Sequence, residues 1–373
     1  MSATAMPKYR DAHVGGCVQA SVERRADGTM ILRSTEPLGA YPARMSDRLE
    51  HWAREAPQRT FIARRGADGQ WQHVSYAQML ERAQRIAQAL VRRGLSQERP
   101  IAILSENDVE HLTLALGAMW AGVPYTPVSS AYSLVSTDFE KLRHILKTTT
   151  PGLVYASSAA YARAIGAVVP RDVEVVMPRA ASGEAIAAIG GHAVTPFEAL
   201  LEEAPGEEAA RAHAATAPDT IVKFLFTSGS TKDPKGVINT NRMMCANQQL
   251  KLQCMGFLGD EPPVLIDWLP WNHTFGGNHN LNLVLANGGA LYIDEGRPAP
   301  GLVEKTARNL REVQPTLWFN VPRGFDMVLP LMEADDKLAA DMLSRLRLAF
   351  YAAAALAPST WKRLEAVAQR VRP

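Results

Sequence analysis

The stretch "FLFTSGSTKDPKGVINTNR", Phe224 to Arg242, decides how the rest of the chain is read. Its apolar start, extended back to Thr220 in "TIVKFLF", reads as a buried strand. Hydroxyls, glycines and lysines then crowd the next ten residues, so a polar loop begins where the strand runs out into solvent. In α/β sheets that end of a strand is where ligands bind. A loop that holds phosphate needs free backbone N–H groups, hydroxyl donors and a cation. Thr227, Ser228, Gly229, Ser230, Thr231, Lys235 and Gly236 supply all of these. A Walker A loop is excluded, because Pro234 precedes Lys235 where that motif needs glycine. A helix N-terminus contributes about 0.3 to 1 kcal/mol to a nearby anion. An amine at about 4 Å contributes about 4 kcal/mol at an effective dielectric of about 20. Lys235 is therefore the residue expected to matter most.

Outward from this loop the chain alternates strand and helix. On the N-terminal side, "SVERRADGTMILRS" has Asp27-Gly28 between two extended runs and predicts a β-ribbon. From Asp47 a helix carries Leu49, Trp52 and Ala53 on one face and stops at Pro57. In "HVSYAQMLERAQRIAQALVRRGL", Ser75 and Gln78 have capping-box spacing, Met79, Ala83, Ile86 and Leu90 form a stripe, and Gly94 ends the helix. "PIAILS" reads as a strand, "DVEHLTLALGAMWAG" as a helix ended by Gly122, and "VPYTPVS" as the next extended segment. This is parallel-sheet grammar. "EEAPGEEAARAHAATAP", Glu202 to Pro218, holds almost nothing large enough for a core and reads as a linker or an exposed helix. On the C-terminal side we expect a Met- and Asn-rich helix directly after the polar loop, then strand "PVLIDWL", helix "GGNHNLNLVLANGG", strand "ALYID", helix "GLVEKTARNLREV", strand "PTLWFN", strand "RLRLAFYAA" and a last helix from Pro358.

Composition narrows the class. A chain of 373 residues exceeds one ordinary core, so two or three lobes are expected. Lys plus Arg number 40 against 38 Asp plus Glu, with no basic block, so no nucleic-acid partner is expected. Cys17, Cys245 and Cys254 lack metal-ligand spacing. His273 and His279, six apart, do not share a helical face, and no metal site is expected. Met243, Met244 and Met255 read as core filling. The start lacks an apolar h-region, and no run approaches the roughly twenty apolar residues a span needs, so no membrane partner and a cytoplasmic location are expected. Gly-x-Ser-x-Gly, Gly-x-Gly-x-x-Gly and His-Glu-x-x-His are all missing.

The order Thr-Ser-Gly-Ser-Thr-Lys-Asp-Pro-Lys-Gly over 227–236 closely resembles the phosphate loop of the adenylate-forming enzymes, the acyl- and aryl-CoA synthetases and their relatives. Lys232 stands where most of that family has glycine, which would bring a second cation to the phosphates. The flanks "AILSENDVEHLTLALGAMWAGVPYTPVS", "LPWNHTFGGNHNL" and "FYAAAALAPS" resemble family segments in the same order, from about Met45 onward. "YSLVSTDFEKLRHILKTTTPGLVYA" and "DWLPWNHTFGGNHNLNLVLANGGALYIDEG" resemble most the bacterial feruloyl-CoA synthases, which activate hydroxycinnamates in phenylpropanoid degradation.

The resemblance implies two parallel-sheet α/β subdomains and a small β-barrel of an adenylate-forming large domain, with the C-terminal part and the mobile domain absent. We expect an N-terminal β-ribbon extension over 1–44, a first α/β subdomain over 45–201, a linker over 202–218 and a second α/β subdomain over 219–373. It also implies ATP, Mg2+ and CoA, with an aromatic carboxylic acid as the small-molecule partner and a homodimer as one option for assembly. Thr227 to Thr231, Lys232, Lys235 and Gly236 would hold the β- and γ-phosphates. His273, with Trp271, Asn272 and Phe275, would sit at the acyl pocket, together with Asn320, Val321 and Pro322 and with Tyr351, Ala352, Ala353 and Ala354. Lys235 and His273 are the catalytic candidates. Family members continue past the equivalent of "PSTWKRLEAVAQRVRP" with a Tyr-Gly-x-Thr-Glu segment and the adenylation lysine, so full activity is expected to need more chain. The alternative is a catalytically incomplete fragment that only binds aromatic acid or polyphosphate.

Overall fold

The computed structural model describes residues 12–16, 19–185, 189–227 and 233–372. The phosphate-loop residues Ser228, Gly229, Ser230, Thr231 and Lys232 lie outside the described residues.

Strands β1 (Ala20–Arg24) and β2 (Met30–Ser34) pair as the expected ribbon, with Val22 opposite Leu32. β3 (Thr60–Arg65) and β4 (Trp71–Ser75) follow the first helix, Ser46–Glu55. The βα series then runs through β5 (Ile101–Leu104), β6 (Tyr125–Val128), β7 (Leu153–Ala156), β8 (Glu174–Met177) and β9 (Val194–Pro196). Next come β10 (Ile221–Thr227) and β11 (Lys235–Thr240), then β12 (Val264–Asp267), β13 (Ala290–Ile293), β14 (Leu317–Asn320) and β15 (Leu348–Tyr351).

One sheet has the order β11-β10-β6-β5-β7-β8-β9, parallel except for the β10/β11 hairpin. A second has the order β12-β13-β3-β4, and β14 pairs in parallel with β15. Thr316 N–H donates to Val264 O at 3.0 Å, which seats β14 beside β12. The small barrel implied by the resemblance is not among the sheets of the described residues.

Strand membership crosses residues 202–218 in both directions. β10 and β11 join the first sheet, and β3 and β4 join the second. The subdomains expected from the sequence follow chain order, whereas the hydrogen bonds do not. The Ala/Glu-rich stretch contains a helix, Glu207–Ala215, that buries Ala209 and His213 and stacks the His213 ring on Trp120 at 3.7 Å. Of the two sequence alternatives, linker or exposed helix, the stretch thus contains the helix, exposed along most of its length and anchored through Ala209 and His213.

Local rules explain the core helices. Tyr76–Arg92 starts on the capping box, with Gln78 N–H donating to Ser75 Oγ at 3.3 Å and Ser75 N–H to Gln78 Oε1 at 2.9 Å. Val109–Ala121 is apolar all round and is buried along nearly its whole length, as such a helix must be. It ends at Gly122 with φ 68°. The two helices meet at Gly117, where an added Cβ would lie 2.4 Å from Ile86 Cγ2.

Two elements differ from the sequence reading. "KGVINT" is the strand β11 rather than the tail of a loop, so Lys235 and Gly236 lie in a hairpin and the Met- and Asn-rich helix starts only at Asn241. "GGNHNLNLVLANGG" is not one α-helix, because Phe275–Asn280 forms a π-helical turn that leads into the α-helix Leu281–Ala286.

Candidate active site

The parallel strands of both sheets end near one another. Asn107, just past β5, donates through Nδ2 to Leu269 O at 2.9 Å and accepts from Trp271 N–H at 3.0 Å. One side chain of the first sheet's loops thus clamps the segment after β12. Arg64 on β3 reaches Asp108 at 2.6 Å and also pairs with Glu110, adding a second tie. The C-terminal ends of β5, β10, β12, β14 and β15 therefore border one region, the position where α/β sheets bind ligands.

On one side is the β10/β11 hairpin. Thr227 stands opposite Lys235, Gly236 opposite Phe226, and both Thr227 and Lys235 are exposed. A Cβ on Gly236 would lie 3.1 Å from Phe226 Cζ, so glycine there leaves room for the Phe226 ring. The far end of the loop is tied to the helix Glu140–Thr149 by His144 Nε2 and Pro234 O at 3.0 Å.

On the other side is the π-helical turn. His273 is exposed, and its Nδ1 accepts the Phe275 N–H at 3.2 Å. The neutral ring therefore carries its proton on Nε2, where it can be donated to an anion. Gly276 and Gly277 are required by contact. A Cβ on Gly276 would lie 2.3 Å from Leu269 O, and one on Gly277 would lie 2.2 Å from Trp271 O.

A π-turn shifts the hydrogen-bond register, and here side chains take up consecutive carbonyls. Gly277 O accepts from Lys223 Nζ at 3.2 Å, Asn278 O from Gln248 Nε2 at 3.3 Å, and His279 O from Lys251 Nζ at 3.1 Å. Asn278 Nδ2 also donates to Asn239 Oδ1 on β11 at 2.9 Å. The hairpin and the turn are thereby coupled directly, through Lys223 on β10 and Asn239 on β11.

Both lysines are buried, and burial pushes each amine down from 10.5 to about 7. In the unfolded chain a lysine keeps its proton up to about pH 10. Between pH 7 and that point the unfolded state holds more protons than the folded one. Stability then rises with pH, by up to ~1.4 kcal/mol per pH unit for each lysine. We expect a higher urea midpoint at pH 9 than at pH 7, and a smaller difference in Lys223→Met. A midpoint that falls over this range would contradict the assignment.

Asp267, at the end of β12, accepts from Leu269 N–H at 2.9 Å and from Asn280 Nδ2 at 2.8 Å. Burial pushes its carboxyl up to about 7. Around the turn the rings gather. His279 lies 4.8 Å from Phe319 and 5.5 Å from Phe275, and stacks at 6.0 Å on Phe350, which is 38% exposed. Phe275 lies 6.2 Å from Phe350. Burial and the nearby Lys251 push the His279 imidazole down to about 4, so it is neutral at pH 7.

The remaining sequence candidates fall nearby with different exposures. Tyr351 pairs with Asn320 in register and is 36% exposed. Asn320 is buried and its Oδ1 accepts the Val321 N–H at 2.9 Å, one residue ahead of the helix Pro322–Ala334, so the amide fixes the turn that leads into that helix. Val321 is half-buried beside it. Ala352 N–H donates to Asn320 O at 3.2 Å, and Ala353 holds φ 77°, a conformation that strains any residue with a Cβ. Trp271 is buried against His111 rather than open to the region.

Asn107, Lys223, Gln248, Lys251, Asp267 and Asn280 escaped the sequence reading. Lys223 alone left a signal, a charged residue inside the apolar run "IVKFLF".

Mostly parallel sheets whose C-terminal strand ends share a polar hairpin and an aromatic cluster define an α/β protein with its candidate ligand region at those ends. Residues 49–372 match the family described as AMP-binding enzyme, and the chain belongs to that family. It is 27% identical over 328 residues to 3-[(3aS,4S,7aS)-7a-methyl-1,5-dioxo-octahydro-1H-inden-4-yl]propanoyl:CoA ligase of Rhodococcus jostii, covering 87% of this chain and 60% of that one. Against the long-chain-fatty-acid–CoA ligase ACSBG1 of Bos taurus it is 23% identical, covering 86% of this chain and 44% of that one. The chain thus spans less than two thirds of the length of these curated relatives. The fold matches the fatty acid AMP ligase from Legionella pneumophila with TM-score 0.66 at 15% identity, over 88% of this chain and 52% of that one.

Proposed function

We propose that the chain forms the acid- and polyphosphate-binding part of an ATP-dependent acid–CoA ligase of hydroxycinnamates, similar to a feruloyl-CoA synthase. Family membership supports the ligase class. The observation that carries the acid class is the cluster of Phe275, His279, Phe319 and Phe350, whose rings lie 4.8 to 6.5 Å apart at the strand ends beside His273. A flat, conjugated acid matches such a surface better than a flexible aliphatic one, because aromatic rings gain from edge and offset contacts.

In the proposed reaction a carboxylate oxygen bonds to the α-phosphorus of ATP, and the bond from that phosphorus to the bridging oxygen breaks as pyrophosphate leaves. The CoA thiolate then bonds to the acyl carbon, and AMP leaves with the shared oxygen. The protein's part is alignment and charge neutralisation. Lys235 and the Thr227 to Thr231 loop with Lys232 and Gly236 would hold the departing phosphates, and His273 Nε2–H would face the carboxylate. The turn's ties to Lys223 and Asn239 would keep the two groups in register.

Mg2+ supplies charge neutralisation when it accompanies the nucleotide. Among the described residues, the group able to share an ion is Asp47, Glu50 and His213, on helices rather than at the strand ends. Asp47 is already paired with Arg44 at 2.7 Å. A nucleotide-bound Mg2+ takes most of its ligands from phosphate and water rather than from such a three-residue group, and no step is assigned to it.

No helix of the described residues is long and apolar enough to cross a membrane. A cytoplasmic location belongs to the same proposal, and sedimentation would decide whether the protein is a homodimer. The testing experiment is ATP turnover with ferulate, with and without CoA. Ferulate-dependent pyrophosphate release is expected. Binding of ferulate without release would favour the reading as a binding fragment, and neither binding nor release would overturn both.

A further inference from the structure

His279 lies at the end of a hydrogen-bonded chain that fixes which of its nitrogens carries the proton. Asp267 is the first member, a carboxylate that accepts from Asn280 Nδ2 at 2.8 Å. With Asp267 ionised, that contact orients the amide, so Asn280 presents Oδ1 on its other side. His279 Nδ1 lies 2.8 Å from Asn280 Oδ1. An amide oxygen can only accept, so Nδ1 carries the proton and Nε2 is left with a lone pair. Burial disfavours a second proton on the ring, as does Lys251, which donates to the His279 carbonyl, at pH values where that amine is charged.

Nε2 has no hydrogen-bond partner among the described residues, yet it is not one of the sealed, unpartnered polar atoms there, so it retains access to solvent. It is a polar atom in an apolar ring cluster whose outer member, Phe350, is 38% exposed. An unpaired acceptor in such a place favours a ligand that brings a donor and disfavours one that does not.

We infer that His279 is a specificity-determining residue whose Nε2 accepts a hydrogen bond from a hydroxyl on the ring of an aromatic acid lodged among Phe275, Phe319 and Phe350. The inference rests on the acid-binding reading given above and adds to it that the hydroxyl is read by this nitrogen. It assigns Asp267 and Asn280 as positioning residues, which act through the tautomer they impose.

The test has two parts. Nitrogen NMR of the histidines at pH 8.5, where Asp267 is ionised, reports the tautomer with no ligand present. The Nδ1–H form is expected for His279, with its resonance assigned through His279→Phe, and the Nε2–H form would overturn the inference. Calorimetric titration then compares cinnamate with 3-hydroxycinnamate and 4-hydroxycinnamate. One hydroxylated acid should bind about tenfold more tightly than cinnamate, the worth of one hydrogen bond. His279→Phe, which keeps a ring in the cluster, should bring that ratio to about one. If cinnamate and both hydroxylated acids bind equally to the unaltered protein, the hydroxyl role falls while the acid site stands. If none of them binds, the acid-site reading falls and takes this inference with it.

Discussion

Replacing Gly277 with alanine is expected to cost about 3 kcal/mol or more, read as a drop in the urea midpoint. The added Cβ would lie 2.2 Å from Trp271 O and 3.1 Å from Trp271 C, both backbone atoms, so no side-chain rotation relieves the clash. Either the turn or the "LPWN" segment must move, and both carry the candidate site. His273 O, which accepts the Gly277 N–H at 2.9 Å, would move with them. The contrasting substitution is Gly183→Ala in the helix Arg179–Ala185, where an added Cβ meets nothing within 4 Å. That change is expected to stabilise by up to ~1 kcal/mol, as alanine outperforms glycine inside helices. Equal midpoints for the two variants would contradict the close packing of the turn.

Replacing Lys235 with alanine is expected to weaken ATP binding by one to three orders of magnitude and to abolish ferulate-dependent pyrophosphate release. The range follows from where the amine acts. At about 4 Å from a phosphate charge it contributes about 1 kcal/mol in bulk water and about 4 kcal/mol at an effective dielectric of about 20. Lys235 is exposed on β11, which pulls its unliganded environment toward the lower figure. Loop residues and nucleotide that displace water would raise it. Calorimetry with ATP at low and high salt separates these regimes, because a screened surface charge loses its effect above about 0.1 M salt whereas a desolvated one keeps it. Unchanged ATP affinity in Lys235→Ala would remove that lysine from the site.

Local chemistry was legible in the sequence wherever a few neighbouring residues decide the outcome. Ser75 and Gln78 announced their capping box, Gly122 its left-handed cap, and Asp27-Gly28 the turn of the ribbon. Sheet membership was not legible, because pairing β10 with β6, or β13 with β3, joins residues far apart in the chain. Nothing in "FIARR" or "WQHVS" says that those strands belong with Leu291 and Tyr292. β11 was hidden because Lys235 and Gly236 read as loop residues, and only antiparallel pairing with Phe226 and Thr227 makes them strand.

At the candidate site, residues with distinctive chemistry drew the sequence reading, His273, Thr227 and Lys235 among the described ones. Those that act by holding backbone did not. Asn107, Gln248 and Lys251 serve carbonyls and amides of the segment 269–279, and a carbonyl's need for a donor leaves no mark on the sequence. The π-turn itself was masked because its apolar spacing fits an ordinary helix, and only the shift of hydrogen-bond register distinguishes the two.

The most direct test of the account is amide hydrogen exchange with ATP and with ferulate added separately. ATP should slow exchange in the hairpin 224–240, and ferulate should slow it in 271–281 and around 319–321 and 350–353. Saturating ligand that leaves all of these segments unchanged would contradict the claim that the coupled hairpin and π-turn form the binding site.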